Sequence, residues 1–123
     1  AEIAAHARRT IVIAKLGPRT FPAAVDFITS PGQRYHGTRR SAPSLPGAGP
    51  VIVITDMGIL ETDPESGELE LAALYPGVTA ESFSRGVAWP LRVRASLRDV
   101  APPSHHEIDL LRRKLDPHKL FLK

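Results

Sequence analysis

Arg34, Arg39 and Arg40, with His36 among them, form the first group of residues suited to chemistry. Guanidinium forks bind phosphate oxygens bidentately, so these arginines are candidate anion ligands; the ordinary alternative is that they solvate a loop. Just upstream, Thr29-Ser30-Pro31-Gly32 can offer backbone N–H groups and a hydroxyl to a ligand carbonyl, Gly32 permitting close approach. The plain alternative is a turn. Asp56 is the one acid set between strong strand-forming residues. It can be a general base, or a carboxylate that accepts hydrogen bonds from the backbone of a neighbouring turn, and the second is the commoner outcome. His105 and His106 are adjacent, so on a helix their side chains diverge by about 100°, which argues against joint metal ligation. With His118 beyond the helix, no metal site is expected.

Composition removes several function classes. The chain has 123 residues, 42% of them hydrophobic, enough for one domain with a modest core. There are no cysteines, hence no disulfide framework, no thiolate nucleophile and no cysteine-based zinc site. No apolar run approaches the roughly 20 residues of a membrane span, and no signal peptide opens the sequence. A soluble, cytoplasmic protein is expected, with no membrane partner. The net charge of +3 is small, and outside the last helix only Arg8-Arg9 and Arg39-Arg40 are adjacent basic pairs. Without clustered aromatics beside them, they do not make a nucleic-acid surface.

The elements that must position these residues centre on Gly49–Gly77, which reads as a long β-hairpin. Val51 to Leu60 opens with four β-branched residues and is expected as one strand, with Val51, Val53, Met57 and Ile59 on one face and Ile52, Ile54 and Leu60 on the other. Asp63-Pro64-Glu65-Ser66-Gly67 reverses the chain, Pro64 presetting φ and Gly67 accepting a left-handed conformation. The return strand begins at Glu68-Leu69-Glu70-Leu71 and stops at Pro76-Gly77.

Around the hairpin, Ala1 to Arg9 reads as the tail of a helix and Thr10 to Leu16 as a short buried strand ended by Gly17-Pro18. A helix running directly into such a strand is half of a βαβ unit, so upstream sequence is expected, the alternative being a natural short protein whose initiator Met was removed. Phe21 to Ile28 has helical spacing, though a loop with a short strand fits as well. Ser30 to Pro50 holds four prolines and four glycines in 21 residues and is expected to be irregular. Gly47-Ala48-Gly49-Pro50 precedes a strand and so is not a dinucleotide fingerprint.

Downstream, Thr79 caps a helix from Ala80 to Arg85, with Gly86 at its end. Leu91 to Leu97 is a strand with Leu91, Val93 and Ala95 inward and Arg92 and Arg94 facing water. Trp89, beside Pro90, closes the core edge. Ser104 to Glu107 is a capping box that opens a last helix with Ile108, Leu111 and Leu115 as its buried stripe, ended at Pro117. The arm Pro117 to Lys123 carries Leu120, Phe121 and Leu122, too apolar for a loose tail, and is expected to dock on another subunit or on further sequence. The fold class is α/β: a sheet with a long β-hairpin and flanking helices.

The stretch VITDMGILETDPESGELELAALYPGVT, with VDFITSPG upstream, resembles the C-terminal region of the β-subunit of family I coenzyme A transferases. The carrying features are a strand ending in Thr-Asp, an acidic Pro/Gly turn, a second strand, and Tyr-Pro-Gly-Val-Thr leading into a helix. Together they cover nearly the whole chain, most closely in the manner of actinobacterial members, among them the transferase-like hydrolases that open steroid-derived rings. The resemblance implies that residues 1–123 are one domain, the C-terminal part of such a subunit and incomplete without upstream sequence or a partner chain. It implies a heteromeric, cytoplasmic enzyme that moves coenzyme A from an acyl-CoA to a carboxylic acid. Its partners would be an α-subunit and the N-terminal part of the β-subunit; the CoA thioester is substrate, and no cofactor is bound permanently. In that family a glutamate attacks the acyl-CoA thioester, forms a glutamyl-CoA thioester and passes CoA to a second carboxylate. That glutamate lies in the N-terminal half, which has no counterpart here. Glu2, Glu61, Glu65, Glu68, Glu70, Glu81 and Glu107 all stand in bland positions, so no catalytic residue is assigned and the isolated chain is expected to be inactive. Ser30, Pro31, Gly32, Arg34, Arg39 and Arg40 are the expected substrate and CoA contacts. Two alternatives stay open: part of a CoA-thioester hydrolase of steroid degradation, and a noncatalytic scaffold module with the same fold.

Overall fold

The computed structural model describes residues 7–29, 34–35, 38–39 and 51–121. Its strands are β1 (Thr10–Ile13), β2 (Arg34–Tyr35), β3 (Thr38–Arg39), β4 (Val51–Ile54), β5 (Gly58–Thr62), β6 (Leu69–Leu74) and β7 (Arg92–Asp99). Five of them form one mixed sheet in the order β1-β4-β5-β6-β7, while β2 and β3 make a separate antiparallel ladder. β1 runs parallel to β4, β4-β5-β6 is an antiparallel meander, and β7 returns parallel to β6. The helical elements are α1 (Ala80–Ser84) and α2 (His105–Leu110), the latter continuing into a π-helical turn, Leu111–Leu115.

The stretch expected as one strand from Val51 to Leu60 is two strands joined by a tight turn. Thr55 causes the break. Its buried hydroxyl accepts from the N–H groups of Met57 (3.1 Å) and Gly58 (3.0 Å) and donates to the Gly58 carbonyl (2.7 Å). These local bonds replace ladder bonds and reverse the chain, as Ser and Thr side chains do in turns. The reversal also changes which residues share a face. Val53 stands opposite Leu60, and Leu60 opposite Leu71, so Leu60 packs with Val53 rather than with Ile52 and Ile54.

That face holds the core: Val53, Leu60, Leu71 and Leu74 from the sheet, with Phe21, Phe83 and Val87 over them. α1 delivers Phe83, and Thr79 starts the helix by accepting from Ser82 N–H, with Ser82 bonding back to the cap. Phe83 lies over Gly58, where an added Cβ would meet the Ala73 carbonyl oxygen. Trp89 packs against Phe21 with ring centroids 6.2 Å apart and closes the core edge. The acidic turn forms as expected, with Gly67 at φ 72° and the Asp63 carboxylate accepting from Ser66 N–H and Oγ.

The opposite face is partly ionic. Glu61 stands opposite Glu70, and Glu70 opposite Arg92, at matched register positions. Arg94, expected in water, lies on this face. Its Nε meets Glu70 and its Nη1 meets Glu61, each at 2.6 Å, while Arg98 reaches Glu61 at 2.7 Å. Val93, expected inward, is exposed, and so is Ala95. The reason is that β7 leaves its register: between Leu71↔Val93 and Ala73↔Arg98, residues 94–97 oppose the single residue Ala72. Plain alternation does not survive such an excursion.

Three further expectations change. Phe21 to Ile28 is neither helix nor strand, and only Phe21 is buried, with Val25, Phe27 and Ile28 exposed. β1 is an edge strand rather than a buried one: Ile11, Val12 and Ile13 are exposed, Ile13 by 82%. The last helix carries no buried stripe, since Ile108 is half-buried and Leu111 and Leu115 are exposed. The expected helix over Ala1 to Arg9 falls mostly outside the described residues; Ala7 to Arg9 are not helical.

Candidate functional site

The six expected contact residues are placed unevenly. Ser30, Pro31, Gly32 and Arg40 lie outside the described residues. Arg34 and Arg39 sit in β2 and β3, so the segment expected to be irregular contains a short ladder. Arg34 and Arg39 are direct partners in it, as are Tyr35 and Thr38.

Asp56 is exposed at the tip of the β4–β5 hairpin, where its Oδ1 accepts from the Leu16 N–H at 2.7 Å. The carboxylate therefore has the structural contact expected of it, fastening the end of the β1 segment to the hairpin.

Glu61, Glu68, Glu70, Glu81 and Glu107 stand in structural contacts. Burial pushes the Glu61 carboxyl up, but the hydrogen bond and charge of Arg94, with Arg98 beside it, outweigh that and hold it below its ordinary value. Glu70 is buried against Arg94. Arg94 is in turn held above the usual guanidinium value, first by its hydrogen bond to Glu70 and then by Glu61. Glu81 pairs with Arg85 and Glu68 lies near Arg92. Glu107 closes the α2 capping box, accepting from Ser104 N–H (2.8 Å) and Oγ (2.7 Å). The Ser104 N–H chiefly, then its hydroxyl, hold that carboxyl below its ordinary value.

Glu107 also borders an open cleft of about 630 Å³ with Tyr75, Pro76, Val100, Pro102 and Pro103. The cleft is largely apolar, and its single carboxylate is committed to the helix cap. In the sequence Tyr75-Pro76 reads as a strand stop and Ala101-Pro102-Pro103 as a link; their shared wall exists only once β6 and β7 pair. His105 and His106 follow on α2, and among the described residues no three metal-binding side chains come together. Among the same residues, no helix is long and apolar enough to cross a membrane.

Known proteins share this geometry, although no family model matches the chain. It is 38% identical over 111 residues to the β-subunit of the 3-oxoadipate CoA-transferase of Pseudomonas knackmussii, covering 90% of this chain and 43% of that protein. It is 32% identical over 115 residues to the β-subunit of the glutaconate CoA-transferase of Acidaminococcus fermentans, covering 93% and 43%. The crystal structure of glutaconate coenzyme A-transferase from that organism superposes with a TM-score of 0.81 at 29% identity, covering 98% of this chain and 46% of that one. Rhodococcus jostii RHA1 IpdAB shares the fold, with a TM-score of 0.74 at 23% identity over 91% of this chain and 45% of its own. The mixed five-stranded sheet is thus the fold of these proteins, and the homologues of this chain are the β-subunits of coenzyme A transferases, of whose length it spans somewhat under half.

Proposed function

We propose that this chain is part of a heteromeric enzyme that transfers coenzyme A between an acyl-CoA and a carboxylic acid, and that it supplies sheet framework and cleft wall rather than the catalytic carboxylate. The supporting observation is 38% identity across 90% of the chain to a β-subunit of such an enzyme, on a shared fold. The glutamate contacts described above suit this division of labour, because each serves the scaffold. The exposed apolar residues of β1 and Phe27 are surface for the rest of the assembly to cover. In this reading Ser30, Pro31 and Gly32 border the acyl-CoA cleft. Transfer is favoured over thioester hydrolysis because both relatives above 30% identity are transferases.

A chimera tests the reading. This chain replaces the matching segment of the Pseudomonas knackmussii β-subunit, co-produced with its partner α-subunit, and transfer of CoA to 3-oxoadipate is assayed with the acyl-CoA donor that the unaltered Pseudomonas enzyme uses. Retained transfer is expected, with no thioester hydrolysis in the absence of an acceptor acid. A complex that assembles with normal thermal stability but transfers no CoA overturns the proposal. The isolated chain is expected to show neither activity; turnover, with borohydride inactivation traced to one of its own glutamates, overturns the assigned division of labour.

A further inference from the structure

The last helix, α2 with its π-helical turn, runs from His105 to Leu115, and Ile108, Leu111 and Leu115 follow the i, i+3, i+7 spacing of a single apolar seam. Nothing among the described residues covers the seam fully: Leu111 is 40% and Leu115 66% exposed. The charges beside it are sorted along the helix axis. Glu107 and Asp109 stand in the first half, Arg112, Arg113 and Lys114 in the second. Within the chain this sorting is barely used, since Arg113 reaches Asp109 at 3.6 Å while Arg112 and Lys114 form no ion pair among the described residues. Glu107 and Lys114 are seven residues apart, so they flank the seam on the same side, and Ser104 holds the Glu107 carboxylate in place. A helix with an acidic first half, a basic second half and an apolar seam is complementary to a copy of itself turned end for end. A parallel pair would instead set two Arg112-Arg113-Lys114 turns side by side. The helix dipole adds to the antiparallel preference, its two ends being opposite in sign.

We propose that this helix is a contact between two copies of the chain, packed antiparallel about a two-fold axis, with Ile108, Leu111 and Leu115 in the seam and Glu107 of each copy facing Lys114 of the other. The contact is small, so the pair is weak and forms at high protein concentration. It rests on the helix alone and not on the transferase reading.

The test is sedimentation equilibrium of the full 123-residue chain over a range of concentrations, with thermal melts confirming that each variant folds. A monomer–dimer equilibrium is expected, weaker as salt rises. Leu115→Asp, at an exposed position, should leave Tm unchanged and abolish the dimer. Lys114→Glu and Glu107→Lys each set like charges together twice per pair and should weaken dimerisation by about tenfold or more. Glu107→Gln keeps a capping side chain without the charge, so it should weaken the dimer less than Glu107→Lys does. Mixed in equal amounts, the two charge-reversed variants regain opposite charges at both contacts and should form a heterodimer of near wild-type affinity. A wild-type chain that stays monomeric up to about 1 mM overturns the proposal and leaves the seam to a different chain. So does a dimer indifferent to Leu115→Asp or to both charge reversals, and so does a mixture of the reversed variants that remains monomeric.

Discussion

The backbone N–H of Leu16 donates to Asp56 Oδ1 at 2.7 Å, across 40 residues of sequence. One carboxylate at the hairpin tip thereby fixes the end of the segment that follows β1. Asp56→Ala removes the acceptor, and because the site is exposed the cost should fall below that of a buried charged hydrogen bond, at about 1 kcal/mol. A fall in Tm on the order of 4 °C is expected. Asp56→Asn keeps an oxygen acceptor and should recover most of it. In the assembled chimera, CoA transfer by either variant should follow stability; a loss of kcat at unchanged Tm would make Asp56 a chemical participant.

Gly58 is held by close approach rather than by an unusual φ. A Cβ there meets the Ala73 carbonyl oxygen, with Phe83 Cε2 at 3.2 Å and Leu74 Cα at 3.3 Å. Backbone of the interior strand β6 cannot give way as a side-chain tip can. Gly58→Ala should therefore destabilise the chain by about 1–3 kcal/mol, the usual range for overpacking a core. Urea denaturation with an unchanged midpoint would show that the two strands separate more easily than their packing implies.

Acid should loosen β7. The Glu61 carboxyl is held below its ordinary value of 4.5 in the fold, so the unfolded chain binds the proton more readily. Its contribution to stability is complete above about that value and is lost as pH falls through the lower, folded one. Denaturation midpoints measured between neutral pH and about pH 3 should fall below about 4.5, and Glu61→Gln should reduce that part of the dependence. A Glu61→Gln profile parallel to wild type would mean that Arg94 and Arg98 do not depress this carboxyl.

Leu120 and Phe121 are 69% and 86% exposed, yet their backbone N–H groups are fixed by the Asp116 carboxylate at 2.7 and 3.0 Å. An apolar pair presented in this way suits docking better than solvent. Leu120→Asp with Phe121→Asp should change the stability of the isolated chain by no more than about 0.5 kcal/mol. The same double substitution should weaken assembly of the chimera with its partner α-subunit, read by sedimentation. Unchanged sedimentation excludes the arm from the interface.

The sequence by itself determined the elements whose signals are local. The Asp63–Gly67 turn, the Thr79 and Ser104 caps, the strand from Leu69 and the α/β class all depend on neighbours within a few residues, where side-chain hydrogen bonds and φ preferences act directly. Trp89 at the core edge and the backbone contact of Asp56 were legible from residue type. The motifs around Val53–Thr79 also carried the resemblance that the β-subunit relatives support.

What only the tertiary structure decided is pairing. Seven apolar residues among the ten from Val51 to Leu60 read as one strand, and only the pairing shows that the Thr55 hydroxyl turns the chain there, which moved Leu60 to the other face. Alternation put Arg94 in water; its position across from Glu61 and Glu70 depends on β7 leaving register, which no local period records. The stripes of β1 and the last helix have the right spacing for burial but nothing among the described residues to bury them, because periodicity fixes which residues share a face and not whether a partner covers it. The opposition of Arg34 and Arg39 is of the same kind: the types are plain in the sequence, and their pairing is a property of the ladder.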